Sequence, residues 1–481
     1  MQDKVFVAKQ NEVHLFVTGS DKGIEREISD YFTFYAENYK FMPAFRSGRW
    51  DGRIRLYNAR TNQLYVGLIE QIKEFCKQRK YELVTDPRDW EAEELSFDNA
   101  LKFIRTLDLP PEIEDRDYQI ESFADAISAK RRLILSPTGS GKSLIIYWLF
   151  RYLNKKTLLV APKTNLVQQM EGDFKSYNYK EDIHTIYSGK EKDTNHLMTI
   201  TTWQSIFRMP KSWFDQFEVI IIDEAHGVES KSLTSILEKT PNIKYRFGTT
   251  GTLKGMKCNK WIIEGLTGPV RKVTTTAELI EGKVLANFNI NCLVLGYPQE
   301  VLKSKWSYQD EIDFLCGYEP RNNFIINLTT TIPGNNLVLF NYIEKHGDRL
   351  EQLYRKTTDR PFYYFHGGID STERNDIRPI IEKHKDAIIL ASSGVFSTGV
   401  NIKNLNNIFF TSPGGKARIR TLQSIGRVLR KSKIKTSATL YDLADNLASG
   451  KLPNHTLRHF FERIKIYKSE MFSYKVYNKN I

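Results

Sequence analysis

Two short segments of this sequence hold residue types suited to nucleoside triphosphate chemistry. Ser136-Pro-Thr-Gly-Ser-Gly-Lys-Ser143 has the composition of a phosphate loop. Gly139 and Gly141 let backbone amides turn inward around phosphate, Lys142 brings a cation to the outer phosphates, and the Ser143 hydroxyl is a ligand for Mg²⁺. Thr138 and Ser140 complete the loop. Downstream, Asp223-Glu-Ala-His226 ends an aliphatic run with two carboxylates. Asp223 is suited to hold the metal through water, and Glu224 to orient and deprotonate an attacking water; His226 belongs to the same nucleotide segment. Ser136 stands where the pattern GxxxxGK(S/T) has Gly. Read alone, each segment is also a chance Gly-Lys-Ser turn or a pair of solvated acids. Together they read as one ATPase site using ATP and Mg²⁺.

Other polar residues fall in order around these two. Arg116-Asp-Tyr-Gln119 lies ahead of the loop, where the Gln119 amide can read both hydrogen-bonding edges of adenine; singly, Tyr118 and Gln119 are ordinary helix residues. Thr250-Gly-Thr252 ends a later strand within reach of the Asp-Glu segment, and by itself is a turn. Gln423-Ser-Ile-Gly-Arg-Val-Leu-Arg430 puts Arg427 and Arg430 at i and i+3, on one helical face, with Gln423 at its start. Guanidinium groups so placed stabilise a transferring phosphoryl group. They are also suited to nucleic-acid phosphate alone or to surface ion pairs; Lys416 to Lys435 contains eight Lys or Arg and no acid, so the two phosphate uses are compatible.

A second constellation lies near the N-terminus. Lys40, Arg46, Arg49, Arg53, Arg55 and Arg60 face Asp51 alone, interleaved with Tyr39, Phe41, Phe45, Trp50 and Tyr57. Cations that neutralise phosphate beside rings that stack on bases suit strand or junction binding. The plainer reading is an aromatic core with a solvated basic rim, Trp50 included. Arg46, Arg49 and Arg53 are the stronger candidates for nucleic-acid contact.

Elements must position these residues. Leu133–Leu135, Thr157–Val160, Met198–Thr201, Val219–Ile222 and Tyr245–Gly248 are short apolar runs separated by amphipathic stretches, the pattern of a parallel sheet covered on both faces. A second series, Asn336–Phe340, Phe362–Phe365, Ala387–Leu390, Asn407–Phe410 and Ala438–Tyr441, predicts a second α/β domain. The expected division is an N-terminal basic α+β domain over 1–108, an ATP-binding α/β domain over 109–274, and a second α/β domain over 275–481 closed by a basic amphipathic helix carrying Arg458, Arg463, Lys465 and Lys468. The first boundary is set by Asp108-Leu-Pro-Pro-Glu112.

Composition agrees with this reading. The chain has 481 residues, 41% hydrophobic and 12% aromatic, which places it with globular chains of several domains. Its formal charge of +13, from 70 Lys and Arg against 57 Asp and Glu, favours polyanionic partners, although such an excess also serves solubility. Cys76, Cys258, Cys292 and Cys316 show no zinc or disulfide spacing, so reduced thiols in a cytosol-like compartment are expected. No apolar run is long enough to span a membrane, and no leader is expected.

In order, RDYQ, SPTGSGKS, VAPKTNLVQQM, TTWQS, DEAH, TGT, FHGG, SSGVFSTGVN and QSIGRVLR resemble the motifs of superfamily 2 helicases over residues 116–430. The resemblance implies two tandem RecA-like motor domains. Within that superfamily, the N-terminal segment Asn38 to Arg55 is similar to the phage UvsW-type helicases. That likeness implies a DNA helicase acting on branched recombination and replication intermediates and on RNA–DNA hybrids, some members also annealing strands, and a host-cytoplasmic location. It further implies that Pro162, Lys163, Thr164, Thr202 and Trp203 in one motor domain, and His366, Gly367 and Thr398 in the other, meet nucleic-acid backbone. Gly399 and Asn401 fall near the nucleotide, with Asn401 where many relatives carry Asp. Two alternatives stay open from sequence: an RNA helicase, since nothing reads the 2′-hydroxyl, and a non-catalytic architectural protein.

Overall fold

The computed structural model describes residues 3–481 except 91–92, 229, 254–256, 368–379, 400–401, 403, 415–424, 427–428, 430–436, 449 and 451, and describes residues 397–399 by backbone alone. The chain divides into two compact units, with the main boundary between Val273 and Thr274.

At the start of the first unit, β1 (Lys4–Lys9) and β2 (His14–Gly19) pair antiparallel. Val5, Val7, Leu15 and Val17 are buried while Phe6 and Phe16 point outward, the alternation of a half-covered sheet. A ribbon of β3 (Thr33–Tyr35) and β4 (Arg53–Arg55) follows, then β5 (Gln63–Tyr65) and β6 (Glu82–Thr85), which complete a sheet of order β5-β2-β1-β6. The helix Lys22–Tyr31 starts where the Asp21 carboxylate accepts from the Gly23 and Ile24 amides, and it buries Ile24 and Ile28.

Seven parallel strands form the larger sheet of this unit: β7 (Arg131–Leu135), β8 (Thr157–Ala161), β9 (Ile183–Ile186), β10 (Met198–Thr202), β11 (Val219–Asp223), β12 (Tyr245–Thr250) and β13 (Val270–Lys272). Their order is β13-β7-β12-β11-β8-β10-β9. The five expected apolar runs are the five inner strands. The edges β9 and β13 escape sequence reading because edge strands are short and less uniformly apolar. After β7 comes the helix Lys142–Leu153, whose Leu144 to Phe150 are all buried.

The N-terminal segment is not a free-standing appendage of this sheet. Trp261, on the helix Lys257–Thr267, is 6% exposed and belongs to the N-terminal core. Its ring lies 5.5, 5.3 and 5.2 Å from those of Tyr31, Phe32 and Phe34, with Lys257 Nζ 4.3 Å from its centroid. A side chain at Gly67 would come 1.8 Å from the Glu264 carbonyl oxygen, so only glycine permits this approach. Arg131 Nη2 also donates to Glu12 Oε2 at 2.7 Å.

The second unit holds β14 (Asn287–Gly296), β15 (Asn336–Phe340), β16 (Phe362–Phe365), β17 (Ile388–Ser392), β18 (Asn407–Phe410), β19 (Ser437–Asn446) and β20 (Tyr474–Asn480). They form one parallel sheet, β16-β17-β15-β18-β19-β14-β20. The expected C-terminal helix is present as His455–Ser469, but the chain continues into β20, whose polar sequence pairs with β14 from Ile290↔Tyr474 to Gly296↔Asn480. Arg463 leaves the expected basic face altogether. It is buried, with Nη2 donating to Asp442 Oδ1 at 2.7 Å and Nε to Oδ2 at 2.9 Å. Arg321 and Asp445 form a second buried pair, Nε to Oδ1 at 2.8 Å.

Candidate ATPase site and nucleic-acid track

Parallel register brings the chemistry to one edge of the first large sheet. Asp223, the last residue of β11, aligns with Thr249 of β12, and Thr249 and Thr250 align with Ile134 and Leu135 of β7 just before the phosphate loop. Ligands of open α/β sheets bind at this carboxyl edge. The Ser136 amide donates to the Thr250 carbonyl at 2.9 Å, tying the loop entrance to β12. Gly139 and Gly141 have φ of 88° and 84°, a left-handed backbone open to glycine at little cost.

Lys142 Nζ donates to the Ser136 carbonyl at 3.0 Å, and Ser143 Oγ lies 2.8 Å from the Tyr177 hydroxyl. Gln119 is wholly buried and its Oε1 accepts from the Arg116 amide at 3.1 Å. A Cβ at Gly141 would meet Gln119 Nε2 at 2.1 Å, so the amide packs directly beneath the loop. Gln119 is thus placed as a brace for the loop, a position the adenine expectation did not foresee.

The Thr249 hydroxyl donates to Asp223 Oδ1 at 2.8 Å. Burial, then the neighbouring charge of Glu224, push the Asp223 carboxyl above its ordinary range, while the Thr249 bond and Lys142 oppose them. His226 Nδ1 lies 3.1 Å from Thr250 Oγ1 and 3.2 Å from Glu224 Oε2. Thr250 therefore touches the carboxylate segment through His226, and Thr249, not singled out from sequence, touches Asp223. Two crowded carboxylates beside a hydroxyl and an ammonium suit a hydrated divalent cation shared with phosphates. No group of three or more His, Cys, Asp or Glu forms a closed metal site among the described residues.

Just beyond the end of β8, Pro162, Lys163 and Thr164 join Thr202, the last residue of β10, in lining a surface groove of about 590 Å³. Lys190 and Arg208 add cations to its wall; single-sequence reading missed them because their positions become neighbours only when the sheet forms. Trp203 sits outside this lining, partly buried on the core beneath. In the N-terminal segment Arg46, Arg49 and Arg53 are exposed, whereas the Trp50 indole donates to the Arg53 carbonyl at 2.9 Å and braces its turn.

In the second unit, His366 and Gly367 directly follow β16, and the helix Ser393–Gly399 carries Thr398 and Gly399. Asn401, Gln423, Arg427 and Arg430 lie outside the described residues.

Two seven-stranded parallel sheets, the first with a phosphate loop and an Asp-Glu segment at its carboxyl edge, define an ATP-hydrolysing helicase of superfamily 2. Residues 112–255 match the family described as type III restriction enzyme, res subunit, residues 321–432 the helicase conserved C-terminal domain, and residues 10–86 the N-terminal domain of DNA helicase UvsW. The ATP-dependent DNA helicase uvsW of Enterobacteria phage T4 is 36% identical over 95% of both chains. A DNA 3′-5′ translocase, XPB2, of Sulfurisphaera tokodaii is 24% identical over 66% of this chain and 79% of its own. The crystal structure of T4 UvsW superposes with a TM-score of 0.53 at 34% identity, covering 99% of each chain. This chain belongs to the UvsW helicase family.

Proposed function

We propose that this protein uses ATP and Mg²⁺ to remodel branched DNA, namely forks and junctions, and RNA–DNA hybrids, in the host cytoplasm. The observation that carries the reading is the placement of two sites at the carboxyl ends of one sheet's strands: the Lys163, Thr164 and Thr202 groove at the ends of β8 and β10, and the Lys142, Asp223 and Glu224 cluster beyond β7 and at the end of β11. Motion at the nucleotide edge is then felt along the nucleic-acid track.

Bound ATP·Mg²⁺ supplies the phosphoryl group and the cation that polarises it. Lys142 meets the outer phosphates, Ser143 and Asp223 hold the metal, and Glu224 takes the proton of the attacking water, steadied by His226. Gln119 and Arg116 support the loop and reach toward the base. In the second motor domain, Arg427, Arg430 and Gln423 are assigned to phosphate chemistry, and His366, Gly367 and Thr398 to nucleic-acid backbone. The domain division at 108 and 274 is part of this reading, with Arg46, Arg49 and Arg53 of the first domain gripping the branch.

A panel of forks, four-way junctions, RNA–DNA hybrid loops and plain duplexes, each with ATP, tests it. Remodelling of forks, junctions and hybrid loops well above blunt duplex is the expected result. Equal action on all, or action on duplex RNA alone, contradicts it.

A further inference from the structure

Of the rings between Tyr39 and Tyr57, most are committed to the fold. Tyr57 is in the core and its hydroxyl donates to the Val17 carbonyl at 3.0 Å. Tyr39 stacks on Tyr35 at 4.7 Å and 24° and meets Phe45 edge-on at 4.8 Å. Gly52, with φ of 77°, makes room for it, since a Cβ there would lie 2.3 Å from the Tyr39 ring. Arg53 covers the outer ring, its guanidinium 5.2 Å from the Tyr35 centroid and Nη2 donating to the Tyr35 hydroxyl at 3.1 Å. These residues make a small braced platform of rings.

Phe41 is the exception. It ends the turn Tyr39–Phe41 that this platform supports, is 78% exposed, and makes no ring contact among the described residues. Met42 beside it is also exposed. A single exposed ring is ordinary on its own; here the ring and the neighbouring Met42 are held in the open by a braced turn and set among cations, a combination suited to a ligand. Lys40, Arg46 and Arg49 are exposed on the same short stretch, and neither Arg46 nor Arg49 has an ion-pair partner among the described residues. An apolar ring within an unneutralised cationic patch matches one chemistry: a nucleobase whose phosphates lie alongside.

We propose that Phe41 stacks on the first unpaired base at a DNA branch point, with the Tyr39 platform holding the ring rigid and Lys40, Arg46 and Arg49 holding the flanking phosphates. This rests on the reading that the N-terminal domain grips branched DNA, and it adds the element by which that domain distinguishes a branch from continuous duplex: a stacked duplex offers no free base face.

The test uses the full-length protein, a fork carrying 2-aminopurine at the first unpaired position, and a blunt duplex of the same sequence. Phe41→Ala is expected to bind the fork roughly 5- to 150-fold more weakly, the range that base–aromatic stacking supplies, with less than about a twofold change on blunt duplex. It should also abolish the change in 2-aminopurine fluorescence, and Phe41→Trp should restore both. Unchanged fork binding by Phe41→Ala, equal weakening on fork and duplex, or failure of Phe41→Trp to restore the signal overturns the stacking role. The underlying reading fails separately, if the Arg46→Ala/Arg49→Ala protein binds both DNAs as the parent does.

Discussion

Glu224 turns out of β11 in a left-handed backbone conformation, φ 53°, that few residues with a side chain adopt. Strain of this kind persists where neighbours enforce it, and here it swings the carboxylate back toward His226 instead of along the strand. Glu224→Gln keeps the shape and removes the base. DNA-stimulated ATP turnover should then fall by about 10²- to 10⁴-fold with ATP affinity retained, as measured by steady-state hydrolysis and nucleotide binding. Thr249→Val is subtler. Loss of its hydroxyl removes a bond worth about 1.5–3 kcal/mol to the ionised Asp223, so the carboxyl rises further and saturation should require several-fold more Mg²⁺; an unchanged Mg²⁺ titration would contradict the assignment. The phosphate loop and the Asp-Glu pair were legible from residue type and order. Thr249 was not, because which of two adjacent threonines meets Asp223 depends on strand register, and Tyr177 was not, because its partner Ser143 is distant in sequence.

At the scale of elements, apolar runs announced the five inner strands of the first large sheet and β15 to β19 of the second, its edge β16 included. The edges β9, β13 and β20 gave no signal, and neither did the inner β14, whose run is interrupted by Asn287, Asn289 and Asn291. Periodicity found the helix His455–Ser469 but misread Arg463, since a spacing argument assigns charge to the outside and cannot see a buried Asp442 opposite. Removing that arginine leaves an uncompensated carboxylate, and Arg463→Leu should lower stability by about 3–5 kcal/mol in denaturant titrations. Trp261 is the corresponding case for the first unit. Its helix follows β12, which carries Thr249 and Thr250, yet its ring completes the core of the N-terminal segment. Trp261→Ala removes that ring at a cost of about 3–5 kcal/mol. Proteolysis should then cut within residues 3–90 before the large sheet, whereas uniform resistance would show that the indole is not the tie.

For the whole molecule, the +13 charge becomes informative once it is divided between two surfaces. The groove at the ends of β8 and β10 bears Lys163 and Lys192 and is assigned to a single strand in the proposed reading, while the N-terminal patch bears Arg46 and Arg49 in the open, suiting the phosphates on the duplex side of the branch. Counterion release makes the division measurable, because each phosphate no longer neutralised reduces the slope of log affinity against log salt by about 0.7 on single strands and about 0.9 on duplex. Lys163→Ala and Lys192→Ala should each flatten the single-strand slope by about that unit and spare the duplex slope, with Arg46→Ala and Arg49→Ala doing the reverse. Anisotropy titrations across roughly 50–200 mM salt would resolve the difference. Four variants with the same effect on both DNAs would mean one undivided basic surface, and a motor that cannot hold one arm of a branch while drawing on another.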